Sequence, residues 1–86
     1  MTEISRFFGI IIYLYNLDHN PPHVHAKYES GEIEIEIKTK KVKAGNVSPR
    51  ALRLIEEWID LHEVELLENW ELAVSGKQPF KITPLK

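Results

Sequence analysis

Residues 31–38 read GEIEIEIK. Isoleucine alternates with glutamate, the period of two expected of a β-strand with one buried and one wet face. Ile33, Ile35 and Ile37 face a core; Glu32, Glu34 and Glu36 face the other way. A core face needs cover, so the stretch implies strands beside it and a packed layer above it. Upstream, residues 23–28 (HVHAKY) form a second, shorter strand candidate, and Ser30-Gly31 between the two predicts a tight hairpin. Parity assigns the faces. Val24, Ala26 and Tyr28 join the isoleucines; His23, His25 and Lys27 join the glutamates. Two registers satisfy this pattern, one setting His25 across from Glu34 and the other across from Glu36.

Working outward, residues 7–15 (FFGIIIYLY) are apolar, β-branched and aromatic, which predicts a strand buried on both faces. A short further strand is expected around residues 41–43. The period then changes. Ser48 suits an N-cap and Pro49 the first helical position. Ala51, Ile55, Trp58, Ile59, Leu66, Trp70 and Ala73 recur at helical spacing, and Gly76 can end the run in the left-handed conformation. One helix over this span would be ~40 Å long. Strands of this size reach only ~27 Å. The helix therefore either overhangs the sheet or breaks near Leu61-His62. The tail QPFKITPLK has two prolines and reads as extended, with an edge strand expected over residues 80–82. The reading is an α+β fold in a single domain, residues 1–86. It is a small antiparallel β-meander of three to four strands, followed by one long or two short α-helices packed on one face.

Composition narrows the chemistry. The 86 residues include no cysteine, which excludes disulfides, thiolate metal sites and cysteine nucleophiles. No apolar run approaches the ~20 residues of a membrane span. The start, MTEISRFFGIII, lacks signal-peptide features, so a cytoplasmic protein is expected. The net charge of −2 gives no global basic field for nucleic acid. Lys38, Lys40, Lys41 and Lys43 form the one basic cluster, readable as a phosphate contact or as a protected strand edge. A helix-turn-helix on DNA is not expected, because Glu63, Glu65, Glu68 and Glu71 repel phosphate. A doubly apolar first strand under a single helical layer needs the C-terminal tail or a second subunit to cover its other face, and a homodimer or a protein partner is the favoured expectation; RNA is a further candidate.

Residues 18–25, DHNPPHVH, concentrate the reactive side chains. Pro21-Pro22 fix two φ angles and remove two donors, so the loop is stiff. Asp18 and Asn20 can bond nearby backbone groups and shape the turn. A stiff loop serves a site or a plain strand connection equally well. His23 and His25, on one strand face with the glutamates, make a first-row divalent transition-metal ligand set, with His19, His62 or a glutamate completing it. The same residues also describe a solvated strand face. His19, His25 and His62 are candidate catalytic acids and bases near neutral pH, with Lys27 or Arg50 beside them to stabilise phosphate charge. His62 and Asn69 lie on the apolar stripe of the helix, so each needs a hydrogen-bond partner. They either bond a covering loop or brace the Asp18–His25 loop, with His19 placed best to meet His62.

ISRFFGIIIYLY, DHNPPHVHAKY and RALRLIEEWIDLHEVELLENWELA together resemble the bacterial domain-of-unknown-function family numbered 4160 across nearly the whole chain. The resemblance implies motif positions at Asp18, His19, Asn20, Pro21, Pro22, His23 and His25, and at His62, Asn69 and Trp70. It brings no catalytic assignment. It implies a small stand-alone protein, often encoded beside another small domain of unknown function, as in toxin–antitoxin cassettes. An interaction or regulatory module is the role this implies. A histidine-based, metal-assisted nuclease or hydrolase and a simple metal-binding protein are the alternatives.

Overall fold

A computed structural model describes residues 1–86. Five strands precede two helices: β1 (Thr2–Phe7), β2 (Ile10–Leu14), β3 (His23–Tyr28), β4 (Gly31–Glu36), β5 (Val42–Asn46), α1 (Pro49–Leu61) and α2 (Glu63–Val74). Each strand pairs antiparallel with the next, in the order β1-β2-β3-β4-β5. The fold is α+β, with more strands than the three to four expected. The difference lies in residues 7–15, which are not one strand. Phe8 (φ 49°) and Gly9 (φ 82°) form a two-residue loop between the Phe7↔Ile10 pair. Two successive left-handed residues match the strand twist in such a hairpin. The added strand is TEISRF, whose polar residues hide its character. The strand expected at residues 41–43 is longer and begins later, at Val42.

The β3–β4 register sets His25 across from Glu34, Val24 from Ile35 and Ala26 from Ile33. Val24, Ala26, Ile33, Ile35 and Ile37 are buried with Ile10, Ile12 and Leu14 in a core of 18 residues. The helices complete that core with Ala51, Ile55, Trp58, Ile59, Leu66, Trp70 and Ala73. On the opposite sheet face, Tyr13 is also buried. Its ring stacks on His25 at 5.2 Å between centroids, Lys27 Nζ lies 5.9 Å from the ring centre, and its hydroxyl donates to Glu32. Side chains of the same sheet thus cover Tyr13.

The helical run breaks where expected. His62 (φ −124°, ψ 27°) separates α1 from α2. Ser48 caps α1 by accepting from the Ala51 amide at 3.2 Å. Gly76 (φ 78°) follows α2, with its amide bonded to Ala73 O and the Lys77 amide to Leu72 O. This pair of bonds is the Schellman closure, which satisfies carbonyls that a helix end otherwise leaves free. The tail forms no strand over residues 80–82. Pro79 and Pro84 remove donors on either side, and one ladder-like bond survives, Ile82 N to Ile4 O at 2.8 Å. The tail is held instead by α-helical side chains. Trp58 Nε1 donates to Thr83 O, and buried Asn69 bonds both backbone groups of Phe80, at 2.8 and 2.9 Å.

Replacing Asn69 with alanine removes both bonds and should lower the unfolding free energy by about 2–3 kcal/mol. Urea denaturation followed by tryptophan fluorescence measures this, and faster proteolysis of the tail should accompany it. Tyr13 supplies a pH test. Burial, then the hydrogen bond to Glu32, pushes its phenol above the ordinary tyrosine range. The neutral phenol therefore contributes stability that is fully present below ~10 and is lost as pH rises through the folded-state value. Alkaline titration of tyrosinate absorbance should show a late-ionising group that Tyr13→Phe removes.

Candidate metal centre

The loop from Tyr15 to Pro22 is tied at both ends. The Leu17 amide (φ 59°) donates to Ala73 O at the end of α2, at 2.9 Å. The Pro22 carbonyl accepts from the Ile37 amide beyond β4, at 3.1 Å. Between these ties the chain turns back, and the Asn20–Pro21 peptide is cis. The turn carries Asp18 over the first residues of β3.

There the carboxylate meets two imidazoles. Asp18 Oδ2 lies 3.0 Å from His23 Nε2 and 3.4 Å from His25 Nε2. Its other oxygen accepts from the His19 amide at 2.9 Å. Asp18, His23 and His25 each present one ligand atom, all within 4.8 Å of one another. Burial raises the Asp18 pKa, but the His19 amide and the neighbouring His25 and His23 rings outweigh it, so the net shift is downward. The ionised carboxylate therefore adds stability above the usual ~3.9, lost as pH falls through its lowered folded-state value.

His23 is the centre of the cluster. Its side chain is only 3% exposed, against 12% for His25 and 14% for Asp18. The outward, solvated His23 expected from strand alternation is corrected here. The residue is on the glutamate side by register, but the loop and Trp70 enclose it. The Trp70 ring centre lies 4.9 Å from that of His23. His23 Nδ1 lies 2.8 Å from Pro21 O. A carbonyl only accepts, so Nδ1 carries the proton of that bond. His25 is clamped by aromatic rings, Tyr13 stacked at 5.2 Å and Tyr15 edge-on at 4.7 Å. Glu34 stands just outside the triangle, its Oε2 3.8 Å from His23 Nε2.

The other candidates fall elsewhere. His19 is 88% exposed; it contacts Asp18 at 2.9 Å, and its ring stands edge-on to that of His23 with centroids 6.2 Å apart. His62 does not meet His19. It pairs with Glu65 Oε1 at 2.6 Å and packs on Trp58 at the helix break. A catalytic trio of His19, His25 and His62 is therefore not assembled. Asn69 holds the tail rather than the loop. Asn20 and Pro21 are exposed, and Pro22 is half-buried. Lys27 lies over Tyr13, two residues along the strand from His25. Arg50 is exposed on the first turn of α1 and makes no side-chain bond. Sequence reasoning treated Asp18 as a turn former and missed its place between the two imidazoles. It also missed Tyr13 and Tyr15 as the walls around His25. The signal for the tyrosines was present: Tyr13 shares the outer parity with His25 once β2 starts at Ile10.

This ligand set is two imidazoles and one carboxylate, without thiolate. It suits borderline divalent ions of the first transition row and leaves coordination positions free. No curated protein and no solved structure matches the chain. A family model described as Domain of unknown function (DUF4160) matches residues 9–71, a span that runs from the β1–β2 turn through Trp70. The chain belongs to that family.

Proposed function

We propose that this domain binds one divalent first-row transition-metal ion through Asp18 Oδ2, His23 Nε2 and His25 Nε2. One observation carries the reading. With Nδ1 donating to Pro21 O, neutral His23 turns a lone pair toward a carboxylate oxygen 3.0 Å away. Two acceptors at that distance repel unless a cation lies between them. The cation is a metal ion, or a proton that makes the ring an imidazolium. The spacing accommodates the metal. Ligand atoms ~2.1 Å from an ion stand ~3.0–3.4 Å apart in octahedral or tetrahedral geometry. The two Asp18–histidine separations, 3.0 and 3.4 Å, fall in that range. The Pro21 carbonyl then has the role usual for an outer partner of a metal-bound histidine, fixing tautomer and ring orientation.

A second reading concerns partners. Leu61 and Val64 are exposed on either side of the helix break, at 65% and 74%, and Phe8 is exposed on the β1–β2 turn. Apolar side chains left in water at a helix junction support an interaction module, such as one member of a toxin–antitoxin-like pair. Size-exclusion chromatography of the protein alone, and with the product of its neighbouring gene, addresses this. A monomer indifferent to that neighbour counts against it.

Elemental analysis of untagged protein dialysed against zinc, manganese, iron(II), cobalt(II) or nickel should find one ion per chain. At a free metal concentration of about 100 Kd, binding adds about 2.7 kcal/mol, and the thermal midpoint should rise by about 10–20 °C. Asp18→Asn and His23→Gln should abolish both effects, and His62→Gln should leave both intact. A folded chain that takes up no metal and shows no thermal shift would establish the imidazolium instead.

A further inference from the structure

The two edges of the sheet differ. The tail lies along β1, with the Ile82 amide donating to Ile4 O at 2.8 Å. Nothing lies along β5. Its one neighbour is β4, Lys43, Ala44, Gly45 and Asn46 are exposed, and the backbone groups turned away from β4 meet no partner in the chain. Such an edge is a template for one more strand. A lysine aimed across the edge is the usual guard. Here the cations are drawn inward instead. Lys43 Nζ lies 3.1 Å from Glu36, and Lys40 Nζ lies 3.2 Å from Asp60.

Beside this edge the outer face of the sheet has a hollow of about 370 Å³, whose lining includes Tyr15, His25, Glu32, Glu34, Ala44 and Gly45. Ala44 stands opposite Glu34, and Asn46 opposite Glu32. Nothing larger than glycine fits at Gly45 (φ 75°), because a Cβ there would clash with Glu32 O. The rim of the hollow on the β5 side is therefore bare. No lysine or arginine lines it, and Glu34 makes no hydrogen bond. The half-exposed Tyr15 ring adds a π face suited to a cation.

We propose that the β5 edge docks an extended segment of a partner protein, with a lysine or arginine beside Ala44 whose cation enters the hollow. Main-chain bonds hold the segment along Val42–Asn46. Alternation puts every second side chain of the added strand on the face that carries Glu34. Two strand spacings separate that residue from Glu34 by about 10 Å between Cα atoms, a gap closed by a long basic stem and a glutamate reaching toward each other. An acidic residue at the same position meets like charge. This docking needs no ion at Asp18 and rests on neither reading above.

The test uses the metal-free, isotope-labelled full chain and the peptide acetyl-Thr-Val-Thr-Lys-Thr-Val-Thr-amide. Its controls are the same peptide with glutamate for lysine, and two forms N-methylated along one or the other edge. The lysyl peptide should shift the amide resonances of Lys43–Asn46 and slow their hydrogen exchange. The glutamyl peptide should bind at least about tenfold more weakly. One of the two N-methylated forms should lose binding. Ala44→Lys, a change at an exposed position that sets a cation in the hollow, should weaken the lysyl peptide with the circular dichroism spectrum unchanged. Equal affinity for the lysyl and glutamyl peptides would overturn the proposal. So would full binding by both N-methylated forms, unchanged binding by Ala44→Lys, shifts confined to the helices, or no binding at millimolar concentration. A chain that already protects these amides as a dimer overturns it too, and makes a second copy the occupant.

Discussion

The pairing of His23–Tyr28 with Gly31–Glu36 sets the side of the sheet on which every important side chain lies. Val24 opposite Ile35 and Ala26 opposite Ile33 face the helices. Side chains alternate, so the same register puts His25 opposite Glu34 and Lys27 opposite Glu32 on the other side. A slip by one residue would turn Val24 and Ala26 to water and bury two histidines among isoleucines. The apolar core therefore enforces the placement of the polar cluster. The energy that selects the register comes from burying aliphatic side chains, on the order of 1.5–3 kcal/mol each. The site inherits its geometry from that selection.

Much of this frame was legible in the residues. GEIEIEIK is an unambiguous alternation, and Ser48-Pro49 and Gly76 are strong helix punctuation for stated physical reasons. The length mismatch between helix and sheet left two outcomes, an overhang or a break near Leu61-His62, and the chain takes the second. What escaped had non-local causes. Phe8 carries a positive φ that a phenylalanine does not advertise, so the β1–β2 turn was hidden inside an apolar run. TEISRF has two charges and two hydroxyls, yet it sits at the sheet edge because Ile4 and Phe7 reach the core. The tail's lack of a strand follows from its two prolines, and its attachment to Trp58 and Asn69 is invisible until the helices are placed.

The four histidines show how far local reasoning extends. Parity put His23 and His25 on the same side as the glutamates. It could not foresee that Trp70, far along the chain, would close over His23. Nor could it foresee that Asp18 would fold back onto both rings, since that needs the loop's two anchors. The single buried polar atom without a partner is elsewhere, Ser5 Oγ under the helical layer. In the cluster itself every buried nitrogen has a neighbour: His23 Nδ1 bonds the Pro21 carbonyl, and His23 Nε2 faces the Asp18 carboxylate.

The tie between the Leu17 amide and the last turn of α2 has a consequence for biosynthesis. A ribosome delivers Asp18, His23 and His25 early and Ala73 and Trp70 late. Until the second helix has emerged and docked, the loop lacks one anchor and His23 lacks its indole wall. A nascent or truncated chain thus carries Asp18, His23 and His25 as side chains not yet held together. The cluster takes its final form only when the C-terminal helix is in place, so the order of synthesis and the order of assembly run in opposite directions here.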